Sequence, residues 1–343
     1  MRKLLNTLYV TSPDAYLSLD GENIVVLKEE AEAARLPLHN LESIVTFGYT
    51  GASPALMGAC AKHSIALSFM TQSGHFLARV VGEVRGNVTL RKQQYAISQS
   101  EDESTQIARN FIIGKLYNSR WMIERATRDH ALCVDVDKIK LASQNLSDSL
   151  KLVMQSQTLD RLRGYEGEAA TQYFGVLNDL ILQQKDSFCF IGRNKRPPLD
   201  NTNALLSFAY TLLAHDAAAA LETVGLDPYV GFMHRDRPGR ISLALDLMEE
   251  FRSVYADRFV LSLINKRIIH GGGFLKKEDG AVLMDDDTRK AVLAAWQSKK
   301  QEVITHPFLG EKIEWGLAPY VQAMLLARSI RGDLDEYPPF LWK

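Results

Sequence analysis

The sequence predicts an α+β protein in which a small N-terminal β-sheet domain precedes a larger, mostly α-helical domain. Up to about residue 85, short apolar runs alternate with turn-forming residues, a pattern typical of strands. Beyond the polar stretch TLRKQQYAISQSEDES, apolar residues recur at helical spacing instead. A chain of 343 residues is also long enough for two domains.

These patterns place the β domain at residues 1–88, a connector at 89–103 and the helical domain at 104–343. In the β domain we expect one helix, PALMGACAKH, between strands. The expected strands are LYV, AYLSL, NIVVL, SIVTF, IALSF and HFLARVV.

In the second domain, four segments have helical length and spacing: QIARNFIIGKLYNSRWMIERAT, Leu159–Leu182, Asn203–Thr223 and Ser242–Val254. The third is apolar almost all round, so we expect it at the centre of the domain, ended by Gly225 as its C-cap. Gly280 suggests a hairpin, and the tail YPPFLWK is too rich in proline for a helix.

Charge and cysteine content exclude some classes of protein. Lys and Arg number 40 against 41 for Asp and Glu, so no overall field attracts polyanions and any nucleic-acid site must be a local patch. The cysteines Cys60, Cys133 and Cys189 lie too far apart for a zinc knuckle and do not form a disulfide framework. With no signal-like segment and no long apolar run, we expect a reduced, cytoplasmic protein that does not contact a membrane.

The segment HRDRPGRISLALDLMEEFR places His234 before an arginine-rich loop and then a helix that carries carboxylates. On a helical wheel, Met248 and Phe251 share the apolar face of this helix. The opposite side carries Asp246, Glu249 and Glu250. Taken alone, these acidic residues could simply be a solvated face.

Glu166 lies in LRGYEGEAATQYFGVLNDL, and the wheel places it within the apolar stripe of that helix, whereas Glu168 points away. We therefore expect Glu166 to be buried. A buried carboxylate requires one of three roles: a salt bridge with an arginine, such as Arg163 or one from another helix, a hydrogen-bonded acid, or a metal ligand.

Glu166, His234 and the pair Asp246 and Glu249 form a cluster from separate segments. Carboxylate oxygens with one imidazole nitrogen suit Mn²⁺ or Mg²⁺ better than structural zinc. Basic residues of two loops could contact phosphates around such an ion, although solvated loop charge is the plain alternative. They are Arg193, Lys195 and Arg196 in GRNKRPP, and Arg235, Arg237 and Arg240 after His234.

Several blocks carry a family resemblance. LRGYEGEAATQYF, RNKRPPLDNTNALLSFAYTLL and GFMHRDRPGRISLALDLMEEFR resemble successive motifs of the CRISPR-associated integrase family, the universal Cas endonuclease of spacer acquisition. The resemblance extends over nearly the whole chain, and a β domain followed by a helical domain is the architecture that it implies. The block order and the tail YPPFLWK most resemble members from subtype I-C systems.

The resemblance implies a metal-dependent nuclease and integrase with a Glu, a His and an acidic residue as catalytic ligands. By motif these are Glu166, His234 and Glu249, and Asp246 occupies a position that in some members is the acidic ligand or supports it. This chain has Glu249-Glu250 where many members have Glu-Pro, which leaves open the carboxylate that faces the metal. Tyr210 is a candidate polar group near the site.

The implied reaction is transesterification, in which the 3′-hydroxyl of a short captured duplex attacks a phosphodiester at a CRISPR repeat. The implied cofactor is Mn²⁺ or Mg²⁺, with manganese favoured by a nitrogen ligand. The implied partners are protospacer and repeat DNA, a second copy of the chain joined through the β domain, and the small ferredoxin-like second Cas protein in a hetero-hexamer. An accessory iron–sulfur Cas nuclease is a further implied partner.

Two other interpretations remain open on the residues alone. One is a metal-dependent phosphodiesterase that acts on small substrates with the same Glu, His and acidic ligands. The other is a non-catalytic helical nucleic-acid-binding module in which Glu166 forms an internal ion pair. A requirement for divalent metal separates an enzyme from a module, and a preference for duplex or branched DNA separates an integrase from the small-molecule enzyme.

Overall fold

The computed structural model describes residues 6–12, 14–29, 31–72, 74, 76–82, 88–194 and 197–343, and its α+β architecture confirms the predicted fold class. The strands are β1 (Thr7–Val10), β2 (Ala15–Asp20), β3 (Asn23–Lys28), β4 (Ala31–Pro37), β5 (Ser43–Phe47), β6 (Gly51–Ala52), β7 (Ala66–Met70), β8 (Phe76–Arg79), β9 (Phe274–Lys276), β10 (Val282–Met284), β11 (Val303–Thr305) and β12 (Lys312–Glu314). The helices are α1 (Pro54–Lys62), α2 (Val88–Gln99), α3 (Glu101–Asp129), α4 (Val136–Met154), α5 (Leu159–Gly175), α6 (Asn201–Val224), α7 (Ser242–Met248), α8 (Arg258–Asn265), α9 (Asp286–Gln301) and α10 (Ala318–Ile330).

The chain forms two compact units. Met1–Arg85 and Met284–Glu302 make the N-terminal unit, and Gly86–Leu283 and Val303–Lys343 make the helical unit. Helix α9 therefore belongs to the N-terminal unit, although we expected that unit to end at residue 88. The stretch 89–103, expected to be a connector, is helical: it lies in α2 and the start of α3. Its polarity reflects the exposed faces of these helices rather than a loop.

Two four-stranded sheets form most of the N-terminal unit. One has the order β1-β5-β7-β8 and the other β4-β3-β2-β6. Alternating apolar residues such as Leu17, Ile24, Ile44 and Leu67 fill its core with no exposed surface. Strand β4 was not predicted, because AEAARLP is exposed along most of its length and has no apolar alternation to mark it.

Helix α6 is a core helix of the helical unit, as its composition predicts. By length and composition it could cross a membrane, but 61% of its most apolar window is buried inside the protein. The Asp200 carboxylate caps its first turn by accepting the Asn203 N–H at 2.7 Å. The helix ends at Gly225, whose φ of 89° is left-handed and suits glycine.

The helical run that begins at Ser242 changes geometry in its middle. Helix α7 ends at Met248 and is followed by a 3₁₀ turn at Glu249–Phe251, a π-helical turn at Arg252–Asp257 and then α8. The prediction of one regular helix over Ser242–Val254 is therefore only partly right. Each change of winding rotates the following side chains away from their expected angles, so the regular helical wheel does not apply beyond Met248.

The helix expected over Leu159–Leu182 is shorter than predicted, since α5 ends at Gly175 and a 3₁₀ turn follows at Leu177–Leu180. The hairpin and the non-helical tail are confirmed. Strands β9 and β10 pair as a hairpin, and Gly280 lies in its turn with a φ of 82°. The tail after α10 contains neither helix nor strand.

Candidate functional site

Glu166 lies on α5, and its carboxylate forms an ion pair with the ammonium of Lys115 on α3. Its side chain is 23% exposed, so Glu166 is half-buried and the expected burial is wrong. The apolar stripe around it is buried as predicted, at Leu162, Ala169 and Tyr173. The carboxylate reaches the edge of that stripe, where it is shielded yet still accessible from outside.

Arg163, which we considered as a partner of Glu166, has another role. Its guanidinium donates to the backbone carbonyl of Met233 at 2.7 and 3.1 Å and pairs with Asp160 at 2.9 Å. Arg163 therefore fixes the residue that precedes His234 to the same helix that carries Glu166.

Asp246 is completely buried and holds the loop that carries His234. Its carboxylate accepts the backbone N–H groups of Phe232, Met233 and His234 at 2.7, 3.0 and 3.0 Å. One of its oxygens also lies 2.5 Å from His234 Nδ1. Because Nδ1 is taken by this carboxylate, Nε2 is the imidazole nitrogen that is left for a ligand.

Glu249 is buried, yet its carboxylate is surrounded by positive charge. One oxygen lies 2.8 Å from Lys115 Nζ, and Arg252 Nη1 donates to both oxygens at 2.8 and 3.0 Å. Burial raises the pKa of this carboxyl, but the nearby cations, above all Arg252 and Lys115, outweigh burial and hold that pKa well below its usual range. Glu249 is thus an ionised carboxylate next to Glu166.

Glu250 faces a different part of the fold. Its carboxyl group contacts the tail through the Tyr337 hydroxyl at 2.6 Å and the Phe340 N–H at 2.6 Å, and Gln322 Nε2 lies 3.1 Å away. Gly114 on α3 makes room for it, since a Cβ there would lie 2.8 Å from Glu250 Cγ. Asp246, Glu249 and Glu250 therefore bind three different partners, and the solvated-face interpretation is wrong because all three are buried.

Tyr210 on α6 lies behind the ion pairs. Its ring packs against the guanidinium of Arg252, with the Cζ atom 4.5 Å from the ring centroid. Its hydroxyl donates to the buried carboxylate of Asp257, which also accepts the Tyr173 hydroxyl at 2.8 Å. Burial raises the pKa of Tyr210, so its hydroxyl stays protonated and keeps this bond. Tyr210 thus positions Arg252, which in turn binds Glu249.

The basic residues that we expected to contact phosphates fall into three groups. Arg235 and Arg237 are exposed and Arg240 is half-buried on the loop after His234, and Arg235 lies 3.5 Å from the carboxylate of Asp160. Arg193 instead turns inward: it donates to Asn203 Oδ1 at 2.6 Å and Ser207 Oγ at 3.0 Å, and it stacks on the Tyr210 ring. Lys195 and Arg196 lie outside the described residues, so their contacts with phosphate stay predictions.

Glu166, Glu249 and His234 are side chains of the kinds that bind a divalent cation. The carboxylates of Glu166 and Glu249 converge on one cation, the ammonium of Lys115. His234 offers an imidazole oriented by a carboxylate, as metal-binding histidines commonly are. Across the described ranges, no three His, Cys, Asp or Glu side chains are already gathered around an ion-sized position. The site therefore has the right chemistry but must rearrange to take an ion.

Sequence reasoning missed Lys115 and Arg252, the two cations that bind Glu249. Lys115 lies in the apolar run NFIIGKLY, and a lysine within such a run signals a buried partner. Arg252 follows directly after the acidic pair, but its position depends on the 3₁₀ and π turns, which sequence spacing does not predict.

Comparison with known proteins shows the family directly. Residues 8–298 match the family model described as CRISPR associated protein Cas1. The chain is 49% identical over 343 residues to "CRISPR-associated endonuclease Cas1 1" of Chlorobaculum tepidum, and the match covers both chains completely. It is 51% identical over 347 residues to "CRISPR-associated endonuclease Cas1 2" of Rhodospirillum rubrum, again with complete coverage of both.

A more distant relative and two solved structures extend the comparison. A "CRISPR-associated exonuclease Cas4/endonuclease Cas1 fusion" of Geobacter sulfurreducens is 34% identical over 340 residues, covering 97% of this chain and 60% of the fusion. A casposase bound to its integration product has the same fold, with a TM-score of 0.85, 20% identity and coverage of 98% of this chain and 93% of the casposase. A Cas6-RT-Cas1–Cas2 complex contains a chain that matches with a TM-score of 0.81 and 21% identity. The match covers 98% of this chain and 36% of that chain.

Proposed function

Since this chain belongs to the CRISPR-associated protein Cas1 family, we propose that its active site is built on Glu166, Glu249 and His234. The protein is a CRISPR adaptation enzyme, a DNA endonuclease and integrase, like the relatives named Cas1 endonucleases that match it over its whole length. The observation that carries the site is the convergence of Glu166 and Glu249 on one cation. Asp246 orients the histidine and Glu250 anchors the tail, so neither is a metal ligand.

Mn²⁺ or Mg²⁺ is the cofactor that we assign to this site. Glu166 and Glu249 would supply carboxylate oxygens and His234 its Nε2, a set that favours manganese because of the nitrogen donor. A bound divalent ion polarises the scissile phosphate and stabilises the charge that develops during attack. Arg252 positions the carboxylate of Glu249 by binding both of its oxygens. Asp246 positions the imidazole of His234.

The reaction joins a short duplex to a CRISPR repeat. The 3′-hydroxyl of the duplex loses its proton as its oxygen forms a new bond to the phosphorus atom. The bond from phosphorus to the 3′-oxygen of the repeat strand breaks, and that oxygen takes up a proton, so that no net proton is consumed. Arg235, Arg237 and Arg240 lie on the loop after His234 and are the candidates to hold the phosphates of these strands. Arg193 is better explained as a support of Tyr210.

We also propose the partners and setting of the enzyme. Protospacer and repeat DNA would bind at the helical unit, while the β-rich residues 1–88 would carry homodimerisation. Two dimers would join the small second Cas protein in a hetero-hexamer, a proposal supported by the complex in which a similar chain is combined with Cas2. The fusion relative supports an accessory Cas4-type nuclease as a partner. The tail and block order favour subtype I-C, and the cysteine content favours the cytoplasm of a prokaryote.

Strand transfer of a labelled short duplex into a repeat-containing plasmid tests the proposed site. The assay contains Mn²⁺ and the small Cas partner, and it compares wild type with Glu166→Ala and His234→Ala. We expect joining to vanish in both variants while folding and dimerisation persist. Glu168→Ala is the matched control, because Glu168 is an exposed carboxylate on the same helix. Joining by Glu166→Ala at the wild-type rate would leave Glu166 as a structural ion pair only.

A further inference from the structure

Lys115 lies at the centre of the candidate site rather than on the surface. Its side chain is 11% exposed, and its ammonium pairs with Glu166 and with Glu249 Oε2, the latter at 2.8 Å. The three residues come from α3, α5 and the turn after α7, so separate elements of the helical unit meet at this ammonium.

The charge balance explains why a cation occupies this position. Two carboxylates that share a poorly solvated site repel each other unless positive charge lies between them. The Lys115 ammonium supplies a single positive charge for the two carboxylates. Of these two, Arg252 forms its ion pair with Glu249. A divalent ion would balance both carboxylates and also accept their oxygens as ligands. The position is therefore suited to a metal ion, and lysine fills it in this structure.

We propose that Lys115 is an internal counter-ion that holds the metal position in the metal-free protein and is displaced when a divalent ion binds. This inference rests on the metal site assigned under the proposed function. Lys115 would stabilise the protein when no metal is bound. It would also compete with the metal ion for the carboxylates of Glu166 and Glu249.

The fold offers the displaced ammonium another position. A cavity of about 20 Å³, which is enough for about one water molecule, lies beside Lys115 and is lined by Tyr210, Ser253 and Asp257 among others. The hydroxyl of Ser253 is buried and has no hydrogen-bond partner among the described residues. Asp257 contributes a carboxylate that already binds two tyrosine hydroxyls. On displacement, the lysine side chain would turn from the carboxylates of Glu166 and Glu249 toward these oxygens of the same cavity.

The test measures metal binding and stability rather than activity. Lys115→Met keeps the length of the side chain and removes its charge, and Lys138→Met is the matched control because that lysine is exposed and pairs with Asp179 outside the site. Thermal unfolding is recorded in EDTA, and the Kd for Mn²⁺ is measured by electron paramagnetic resonance. We expect Lys115→Met to unfold at a lower temperature in EDTA but to bind Mn²⁺ about tenfold more tightly than wild type, or about 1.4 kcal/mol. Lys138→Met should match wild type in Mn²⁺ affinity.

An unchanged or weaker Mn²⁺ affinity in Lys115→Met, with normal binding by wild type, would overturn this inference and leave the metal site intact. Failure of wild type to bind Mn²⁺ at all, or equal binding by Glu166→Gln, would overturn the metal site and this inference with it. If Lys115→Met does not fold in EDTA, the inference requires Mn²⁺ to restore its fold, because the ion replaces the missing charge. Failure of that rescue would also overturn it.

Discussion

Asp246 binds His234 at two points: one carboxylate oxygen accepts the backbone N–H of His234 at 3.0 Å and lies 2.5 Å from its Nδ1. The same carboxylate accepts the two preceding backbone N–H groups, so a single buried side chain shapes the whole turn. A carboxylate that the family motif offered as a ligand thus contacts the neighbouring histidine instead. This arrangement fixes both the direction of the imidazole and the nitrogen that it presents.

Replacing Asp246 with Asn should therefore impair the site without unfolding the protein. Asparagine has the same shape, but its amide has only one acceptor atom where the carboxylate offers two. We expect DNA joining and Mn²⁺ affinity to fall about 10–100-fold. Asp236→Asn is the control, because Asp236 is an exposed aspartate of the same loop. Equal loss in both variants would mean that the effect belongs to the loop and not to the histidine.

Gly231 should not tolerate a methyl group. A Cβ at this position would lie 2.9 Å from Asp246 Oδ2 and 2.8 Å from Ser242 Cβ, so the carboxylate or the loop would have to move. We expect Gly231→Ala to destabilise the protein by about 1–3 kcal/mol and to reduce joining. Chemical denaturation and the strand-transfer assay check both effects.

Gly164→Ala is the matched substitution on α5. Apart from the local backbone of α5, no atom of the described residues lies within 4 Å of the added carbon. Alanine also favours a helix by about 1 kcal/mol over glycine. We expect this variant to be at least as stable as wild type and fully active. Wild-type stability and activity in Gly231→Ala would show that the carboxylate of Asp246 has room to shift.

Glu250 should make the protein less stable as pH rises, which is the opposite of the usual effect of a carboxyl group. Burial raises its pKa to about 8, although the bonds from Tyr337, Phe340 and Gln322 lower it. The folded protein then keeps this proton to a higher pH than the unfolded chain, whose glutamates titrate at about 4.3. The protonated Glu250 side chain therefore contributes fully to the free energy of unfolding below about pH 4.3, and this contribution is lost as pH rises toward 8.

Thermal unfolding of wild type and Glu250→Gln between pH 5 and 8 measures this effect. Glutamine imitates the protonated acid, so we expect the unfolding temperature of wild type to fall relative to the variant as pH rises. Glu250→Ala should be destabilised by about 2–4 kcal/mol throughout, because the polar groups of the tail lose their partner. Parallel curves for wild type and Glu250→Gln would mean that the carboxyl group has the same charge in both states.

Tyr210 offers a way to separate packing from hydrogen bonding. Tyr210→Phe keeps the ring that packs on Arg252 but removes the hydroxyl that binds Asp257, so we expect a loss of about 1–3 kcal/mol in stability with most joining activity kept. Tyr210→Leu also removes the ring, and Arg252 should then hold Glu249 less firmly. A larger loss of joining in Tyr210→Leu than in Tyr210→Phe supports the positioning role, and equal activity would contradict it.

Much of this fold could be predicted from local patterns. The strands with alternating apolar residues, the apolar helix α6 and its glycine cap follow from short-range rules, and the structure confirms them. Strand β4 and helix α2 were missed because they are largely exposed and carry little of the apolar periodicity on which such rules depend. The association of α9 with the N-terminal unit depends on contacts between residues far apart in sequence, which no local pattern contains.

The candidate residues of the site came from the sequence, whereas their contacts came from the structure. Motif resemblance indicated Glu166, His234 and Glu249. The partner that each of the three neighbouring carboxylates binds, however, depends on the 3₁₀ and π turns. A regular helical wheel cannot reproduce those turns, so it left Asp246, Glu249 and Glu250 as alternatives. Lys115 was missed because only the three-dimensional fold brings α3 next to α5 and the turn after α7.

The contact between Glu250 and the tail also sets an order of events during protein synthesis. Tyr337 and Phe340 lie 87 and 90 residues beyond Glu250 in the chain. A ribosome that adds about 5–20 residues per second needs roughly 5–20 s to cover that separation. The nascent chain thus contains Glu166, His234 and Glu249 well before it can secure the turn that carries Glu249. The candidate site would therefore be among the later parts of the helical unit to take shape.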